Sequence, residues 1–222
     1  GGYYSSLLNE GSKNFDILKI ILEILPEVAK EKDEDGFFII LRNVVLLPKN
    51  LTIFLQHIPE EERVKAVNQK DDSGKSSLMY AAQNPDSLKI ILALYKDDVE
   101  RLAAIKEKDT ANASILFKAV KNPESLGIIL ALYKDDDERL AAIKEKNING
   151  ESALMYAVQN PDSLKIILAL YDENERLAAV KEKDRANKTT LIYAANYPES
   201  LRIILELYKP DERLAAVKEK DD

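Results

Sequence analysis

No cysteine and no tryptophan occur in the 222 residues, and His57 is the single histidine. The missing cysteine excludes disulfides, thiol chemistry and cysteine-ligated zinc, and it fits a reducing compartment, so a cytoplasmic location is expected. No apolar run approaches the roughly 20 residues that a membrane-crossing helix needs, and no membrane insertion is expected. No secretory signal pattern is seen either. Positive charge is in deficit. Lysine and arginine number 32 against 39 acids, a net charge of -7, which argues against nucleic acid and anionic membranes as partners. Glycine is scarce, and neither G-x-x-x-x-G-K-S nor G-x-G-x-x-G occurs, so no phosphate-cradling loop is present. With 45% hydrophobic and 32% charged residues, the chain has enough apolar material for a folded core.

What the chain has instead is repetition. Asp71 to Lys108, Asp109 to Lys146, Asn147 to Lys183 and Asp184 to Lys220 are near copies of one unit, of 38, 38, 37 and 37 residues. Asp33 to Lys70 is a degenerate copy that keeps the D-x-x-G opening, Pro48 and the ending ERVKAVNQK. Tyr3 to Lys32 keeps LKIILEIL and a shortened VAKEK. A terminal repeat that departs from the pattern reads as a cap, because one of its faces has no neighbour. Residues 1–222 are therefore expected to form a single elongated repeat domain. Asp221 and Asp222 begin what would be another unit, so the chain reads as a segment of something longer, with Gly1 and Gly2 as a leftover of cloning.

One unit predicts three helices. Gly74 and its equivalents Gly36, Asn112, Gly150 and Asn187 are the residue types that most readily take positive φ, so a left-handed turn is expected there. Helix A is expected over about Ser76 to Gln83, with Ser76, Ser114, Ser152 and Thr189 as N-caps. Leu78, Ala81 and Ala82 share one face of it. Asn84-Pro85 breaks the pattern and opens helix B, about Pro85 to Tyr95. The stretch SLKIILALY is apolar almost all round, which predicts burial on every side. Helix C, DDVERLAAIKEK, starts near Asp97 or Asp98 with the capping-box spacing Asp97 to Glu100. Its apolar stripe of Leu102 and Ile105, with Ala103 or Ala104, is expected to cover helix B. Little room remains for strands. The fold class is all-α, an α-solenoid of 37–38-residue repeats with little or no β-strand.

The stretch Gly74-Lys75-Ser76-Ser77-Leu78-Met79-Tyr80-Ala81-Ala82 resembles the ankyrin signature G-x-T-P-L-H-x-A-A, and Asp71 fits the aspartate that opens that repeat. The resemblance implies a helix-turn-helix stack with a concave face that recognises other proteins. Its proline is replaced here by Ser77, Ile115, Ala153 and Thr190, and its histidine by Met79, Phe117, Met155 and Ile192. The unit also exceeds the roughly 33 residues of ankyrin repeats, and helix C stands where those carry a hairpin loop. The phrases NPESLKxIL and ERLAAVKEKD are also similar to repeats in secreted effectors of intracellular bacterial pathogens. That likeness implies delivery into a host cytosol and a host protein as target.

No enzyme chemistry is expected. His57 alone makes no metal site. Paired acids such as Asp97-Asp98 and Asp135-Asp136-Asp137 are the types used for acid–base work or calcium. They recur where helix C starts, however, and capping and the helix dipole account for them. Gly74-Lys75-Ser76 looks like the end of a phosphate loop but has no preceding glycine or strand. Tyr95, Tyr133, Tyr171 and Tyr208 close helix B and are expected at its junction with helix C, hydroxyls near solvent. No catalytic, metal or cofactor residue is assigned.

The variable positions are the candidates for partner binding. Tyr80, Tyr156 and Tyr193 share a slot with Lys118. A core position rarely exchanges tyrosine for lysine, so this slot is expected to be partly exposed on helix A. Binding and simple ladder packing both explain the tyrosines. Three further slots vary on a constant frame: Lys75, Ala113, Glu151 and Lys188; Gln83, Lys121, Gln159 and Asn196; and Asp72, Thr110, Ile148 and Arg185. Recognition of one partner and drift at unconstrained surface positions would both produce this variation. The expected function is a monomeric scaffold binding a protein on the helix A and turn face. The alternative is the targeting arm of a larger enzyme.

Overall fold

The computed structural model describes residues 4–32 and 38–218. The chain divides into two compact units, Gly1–Thr110 and Ala111–Asp222. Among the described residues the regular structure is helical. Isolated antiparallel bridges such as Lys70 to Ser76, Lys146 to Ser152 and Lys183 to Thr189 close the turns between repeats.

The first unit contains α1 (Tyr4–Gly11), α2 (Phe15–Ile24), a 3-10 turn (Pro26–Lys30), α3 (Ile39–Val44), α4 (Pro48–Gln56), α5 (Glu60–Asn68), α6 (Ser77–Ala81), α7 (Pro85–Leu92) and α8 (Asp98–Ile105). The second contains α9 (Leu116–Ala119), α10 (Pro123–Leu130), α11 (Asp136–Lys144), α12 (Ala153–Ala157), α13 (Pro161–Ala169), α14 (Glu173–Lys181), α15 (Thr190–Tyr193), a 3-10 turn (Ala194–Asn196), α16 (Pro198–Glu206) and α17 (Arg213–Lys218). Segment 71–108 thus holds an A, B and C helix as α6, α7 and α8, and the same order recurs in the second unit. The expected left-handed turn at Gly36 lies outside the described residues.

Local chemistry sets these boundaries. Helix B starts where asparagine precedes proline. Asn84 takes an extended backbone and its Oδ1 accepts from the Asp86 and Ser87 N–H groups, while Pro85 fills the first helical position. Asn122 and Asn160 repeat this. Helices α8 and α11 start on a capping box, whereas Asp172 makes no side-chain cap bond to α14. Asp97 accepts from Glu100 N–H at 3.0 Å, and the Glu100 carboxylate reaches back to Lys96 N–H at 3.0 Å. Helix A is shorter than the periodicity predicts. It ends at Ala81 because Gln83 and Asn84 turn tightly back to the carbonyls of Tyr80 and Ala81. Of its expected caps, Ser76 accepts from Met79 N–H at 3.4 Å. Ser152 and Thr189 make no such bond, and α9 starts two residues after Ser114, with Ile115 in helical geometry at the cap.

Two expectations about helix B need correction. It ends at Leu92 rather than Tyr95, and it is not buried on every side. Leu88, Ile91 and Leu92 are buried, Ile90 and Leu94 are half-buried, and Lys89 and Ala93 are exposed. Helix C lies mainly against helices A: α5 and α8 pack on α6, α11 on α12 and α14 on α15. The stack itself is made by like on like, with α4 against α7 in the first unit. In the second, α9, α12 and α15 form one row and α10, α13 and α16 another. Leu88, Ile91, Leu126, Ile129, Leu164 and Ile167 are 0% exposed. Each such side chain contributes roughly 1.5–3 kcal/mol by leaving water.

The arginine of the ERLAA phrase ties helix C to helix B. Arg101 Nε donates to the Leu92 carbonyl at 2.9 Å, and Nη2 donates to Tyr95 at 3.3 Å. Arg139, Arg176 and Arg213 make the equivalent bonds to Leu130, Leu168 and Leu205. Cationic donors thereby satisfy carbonyls that a helix C-terminus leaves open. The tyrosine that follows helix B is buried rather than near solvent. Tyr95, Tyr133, Tyr171 and Tyr208 are at most 5% exposed, and the Tyr95 hydroxyl donates to Asn68 of the preceding repeat.

Candidate functional site

The turn that opens each repeat is built around one side chain. Asp71 Oδ1 accepts from Ser73 N–H at 2.9 Å and Lys75 N–H at 3.0 Å. Asn147 does the same for Asn149 and Glu151, and Asp184 for Ala186 and Lys188. The chain then turns through the left-handed region at Gly74 (φ 72°), Asn112 (58°), Gly150 (77°) and Asn187 (60°), as the residue pattern predicts.

Neighbouring turns are stapled by backbone. In the first unit Thr110 N–H donates to the Ser73 carbonyl at 2.9 Å. In the second, Ile148 N–H donates to Ala111 at 2.9 Å and Arg185 N–H to Asn149 at 2.8 Å. Each bond joins the second turn residue of one repeat to the third of the preceding repeat. The side chains of that second position, Asp72, Thr110, Ile148 and Arg185, are exposed. The structure therefore brings one complete variable slot to the turn tips.

The other slots divide. Lys75, Ala113 and Glu151 are half-buried and Lys188 is exposed. Gln83 is half-buried, while Lys121, Gln159 and Asn196 are exposed. Tyr80, Lys118, Tyr156 and Tyr193 are half-buried, which agrees with partial exposure of that slot. The three tyrosine hydroxyls, however, belong to the frame. Tyr80 donates to Asp71 Oδ2 at 2.6 Å and Tyr156 to Glu151 Oε2 at 2.9 Å. Tyr193 Oη lies 2.7 Å from both Glu151 Oε1 and Asp184 Oδ2. The Tyr156 ring also meets Phe117 edge-on, with centroids 5.3 Å apart. Variation at Lys75, Ala113, Glu151 and Lys188 is consequently not all surface variation, since Glu151 is a structural acceptor.

These contacts set the ionisation. Burial alone would raise the Glu151 carboxyl, but donors on Asn147, Tyr193, Tyr156 and Asn149 outweigh it and hold it below its usual 4.5. Asp71 and Asp184 are lowered in the same way, burial being outweighed by Tyr80 or Tyr193 and by turn N–H groups. The phenol of Tyr80 is pushed up to about 12 by burial and then by Asp71. Burial and the carboxylates of Asp184 and Glu151 push Tyr193 up as well.

One feature of the site carried no signal as a repeat variation. Arg42, Val45, Asp71, Ser77 and Tyr80 line a small cavity of about 260 Å³ in the first unit. The buried Ser77 hydroxyl has no hydrogen-bond partner. The sequence pattern gives no warning of this, because the degenerate repeat supplies Arg42 and Val45. His57 caps α4, and its Nδ1 lies 2.9 Å from the Ile53 carbonyl. A carbonyl only accepts, so this nitrogen carries a proton. Among the described residues no cluster of His, Asp or Glu could hold a metal ion, and no helix is long and apolar enough to cross a membrane. No protein-family model matches the chain, and no curated protein matches it in sequence.

Proposed function

We propose that the chain is a protein-binding scaffold in which each unit is a stack of 37–38-residue ankyrin-like repeats. The partner lies across the turn tips and the adjoining face of the A helices. The observation that carries this reading is the turn ladder. Backbone bonds from Thr110 to Ser73, Ile148 to Ala111 and Arg185 to Asn149 hold the turns in register; the Thr110 hydroxyl adds a bond to the same Ser73 carbonyl at 2.9 Å, whereas the Ile148 and Arg185 bonds are made by main chain alone. The side chains at the tips are exposed and differ from repeat to repeat. A fixed frame carrying exchangeable exposed residues is what recognition of a specific partner requires. On the likeness to bacterial effector repeats, that partner is a host protein.

The test follows from the geometry. A partner captured from cytosol and verified by its purified form is titrated against the chain and against a variant combining Ile148→Ser, Gln159→Ala and Asn196→Ala. The expected result is a loss of affinity of at least tenfold with an unchanged melting temperature. Unchanged affinity for that partner overturns the reading.

A further inference from the structure

We propose that the partner of the second unit presents an acidic segment to the turn and helix A face; this rests on the scaffold reading above. The charge on this face is the starting point. The chain as a whole is acidic, at -7, yet Lys118 stands on α9, Lys121 in the turn that follows it, and Arg185 and Lys188 in the turn before α15. The rows α9, α12 and α15 pack on one another, and the turns in front of them are joined by the Ile148 and Arg185 backbone bonds. The helix row and the turn ladder thus connect the repeats that carry these cations.

The two acids of these turns, Glu151 and Asp184, are consumed by the frame, and Glu124 and Glu199 stand exposed at the starts of α10 and α16. Glu151 Oε2 accepts from Tyr156 Oη and from Asn147 Nδ2 at 2.7 Å, and its Oε1 faces the Tyr193 hydroxyl. Asp184 is 7% exposed. Its Oδ1 accepts from the Ala186 and Lys188 N–H groups, and its Oδ2 faces the same tyrosine. Asp162, at the start of α13, pairs with Lys165 on that helix at 3.4 Å. Internal donors thus spend the carboxylates of the turns, while Lys121, Arg185 and Lys188 are exposed.

Arg185 is also placed for contact rather than for folding. Its backbone N–H makes the ladder bond to Asn149, so the guanidinium has no part in the ladder. Its Cγ would lie 3.2 Å from a Cβ built on Gly150, so the stem runs over the preceding turn while the residue remains exposed. Ile148, 49% exposed at the neighbouring tip, adds an apolar anchor. Apolar contact beside arginine is the usual make-up of an interface centre, and opposite charge sets partner choice and association rate. Nucleic acid is the other polyanion that such cations could meet, and Ile148 at the neighbouring tip favours a peptide with an apolar side chain over it.

The probes are a fluorescein-labelled peptide of about 12 residues, rich in Glu and Asp around a central Leu, the same peptide with Lys for each acid, and a single-stranded oligonucleotide of similar length. The chain is titrated against each at low salt. Binding of the acidic peptide alone is expected, weakening at least fivefold as salt rises to physiological strength. The variant Arg185→Glu with Lys188→Glu should abolish it, and Lys121→Glu should weaken it several-fold. Thermal melts confirm that each variant folds, and Arg185→Gln serves if the double reversal does not. Absence of binding to the acidic peptide, binding that ignores the charge reversals, or equal binding of the oligonucleotide overturns the proposal. If the verified partner depends on Ile148 and Gln159 but not on these cations, the acidic segment falls and the scaffold stands. If it depends on neither, the scaffold falls.

Discussion

Tyr193 reaches back across a repeat boundary and places its hydroxyl 2.7 Å from the carboxylate of Glu151, forty-two residues earlier in the chain. The same oxygen faces Asp184 at 2.7 Å, and one phenolic proton must serve both. Glu151 thus links two successive turns. Removing the hydroxyl by Tyr193→Phe should cost about 1.5 kcal/mol, the usual worth of a hydrogen bond to a charged group. Urea denaturation of the two proteins reads this directly, and an unchanged midpoint would show that the contact carries no stability.

Acid should loosen these turns first. Asp71, Glu151 and Asp184 have folded values below their ordinary ones. Their contribution is therefore present above the ordinary values of 3.8 and 4.5, and is lost as pH falls through the lower folded values. The melting temperature should drop below about pH 4.5, and the drop should be shallower in Glu151→Gln. The tyrosines act at the opposite end. Burial pushes Tyr133 and Tyr171 up to about 12 from 10, so their contribution is present below pH 10 and lost as pH rises toward 12. A melting profile that is flat at both ends would contradict the sign of these shifts.

Two glycines should respond in opposite directions. A Cβ on Gly127 meets nothing within 4 Å, and the equivalent residues of other repeats are Lys89, Lys165 and Arg202. Gly127→Ala should stabilise by about 0.5–1 kcal/mol through helix propensity and a less flexible unfolded chain. Gly74 has φ +72°, and a Cβ there would come within 2.8 Å of the Thr110 backbone nitrogen, which is the ladder donor. Gly74→Ala should destabilise by more than about 1 kcal/mol. Differential scanning calorimetry of the pair checks both signs.

The serines that follow each helix B cap are a second place where stability can rise. Ser87, Ser125, Ser163 and Ser200 are 0% exposed, and their hydroxyls have no partner. A buried hydroxyl without a bond costs free energy, and alanine fits the same space. Ser163→Ala should raise stability by roughly 0.5–1 kcal/mol. A loss would mean that the hydroxyl has a bonding role in solution.

Replacing the repeated arginine should do the opposite. Arg139 spans the Leu130 and Tyr133 carbonyls and the Asp136 carboxylate, the last at 2.5 Å. A lysine cannot hold that fork. Arg139→Lys should lose about 1 kcal/mol, read from the shift in urea midpoint at constant slope.

Much of this architecture is legible in the residue pattern, for a physical reason. Positive φ, proline before a helix and an acid three residues before a glutamate are local constraints, so Gly74, Pro85 and Asp97 declare themselves without tertiary knowledge. The parts that stay hidden depend on where elements travel after they form. Nothing local distinguishes a helix C that leans on helix B from one that leans on helix A, and Leu102 and Ile105 suit either. Arg101 is equally silent, because its partners are carbonyls, which every residue has. The tyrosine slot was half legible. Its exchange with Lys118 points to partial exposure, but the hydroxyl bonds of Tyr156 and Tyr193 require the turn of Glu151 to be in place. Ser114 shows the limit of analogy between repeats, since its helix begins one residue later than its neighbours' patterns imply.

The turn ladder has a consequence for how such a surface changes over generations. Its bonds run from main chain to main chain, and every residue except proline can supply the donor. Ile148 and Arg185 can therefore be exchanged by single mutations that leave the fold's free energy almost untouched, while at Thr110 an exchange also loses the hydroxyl bond to the Ser73 carbonyl. Selection can rewrite the surface that these turns present one turn at a time, each intermediate remaining folded, and duplication of a unit adds a fresh turn without redesigning the old ones.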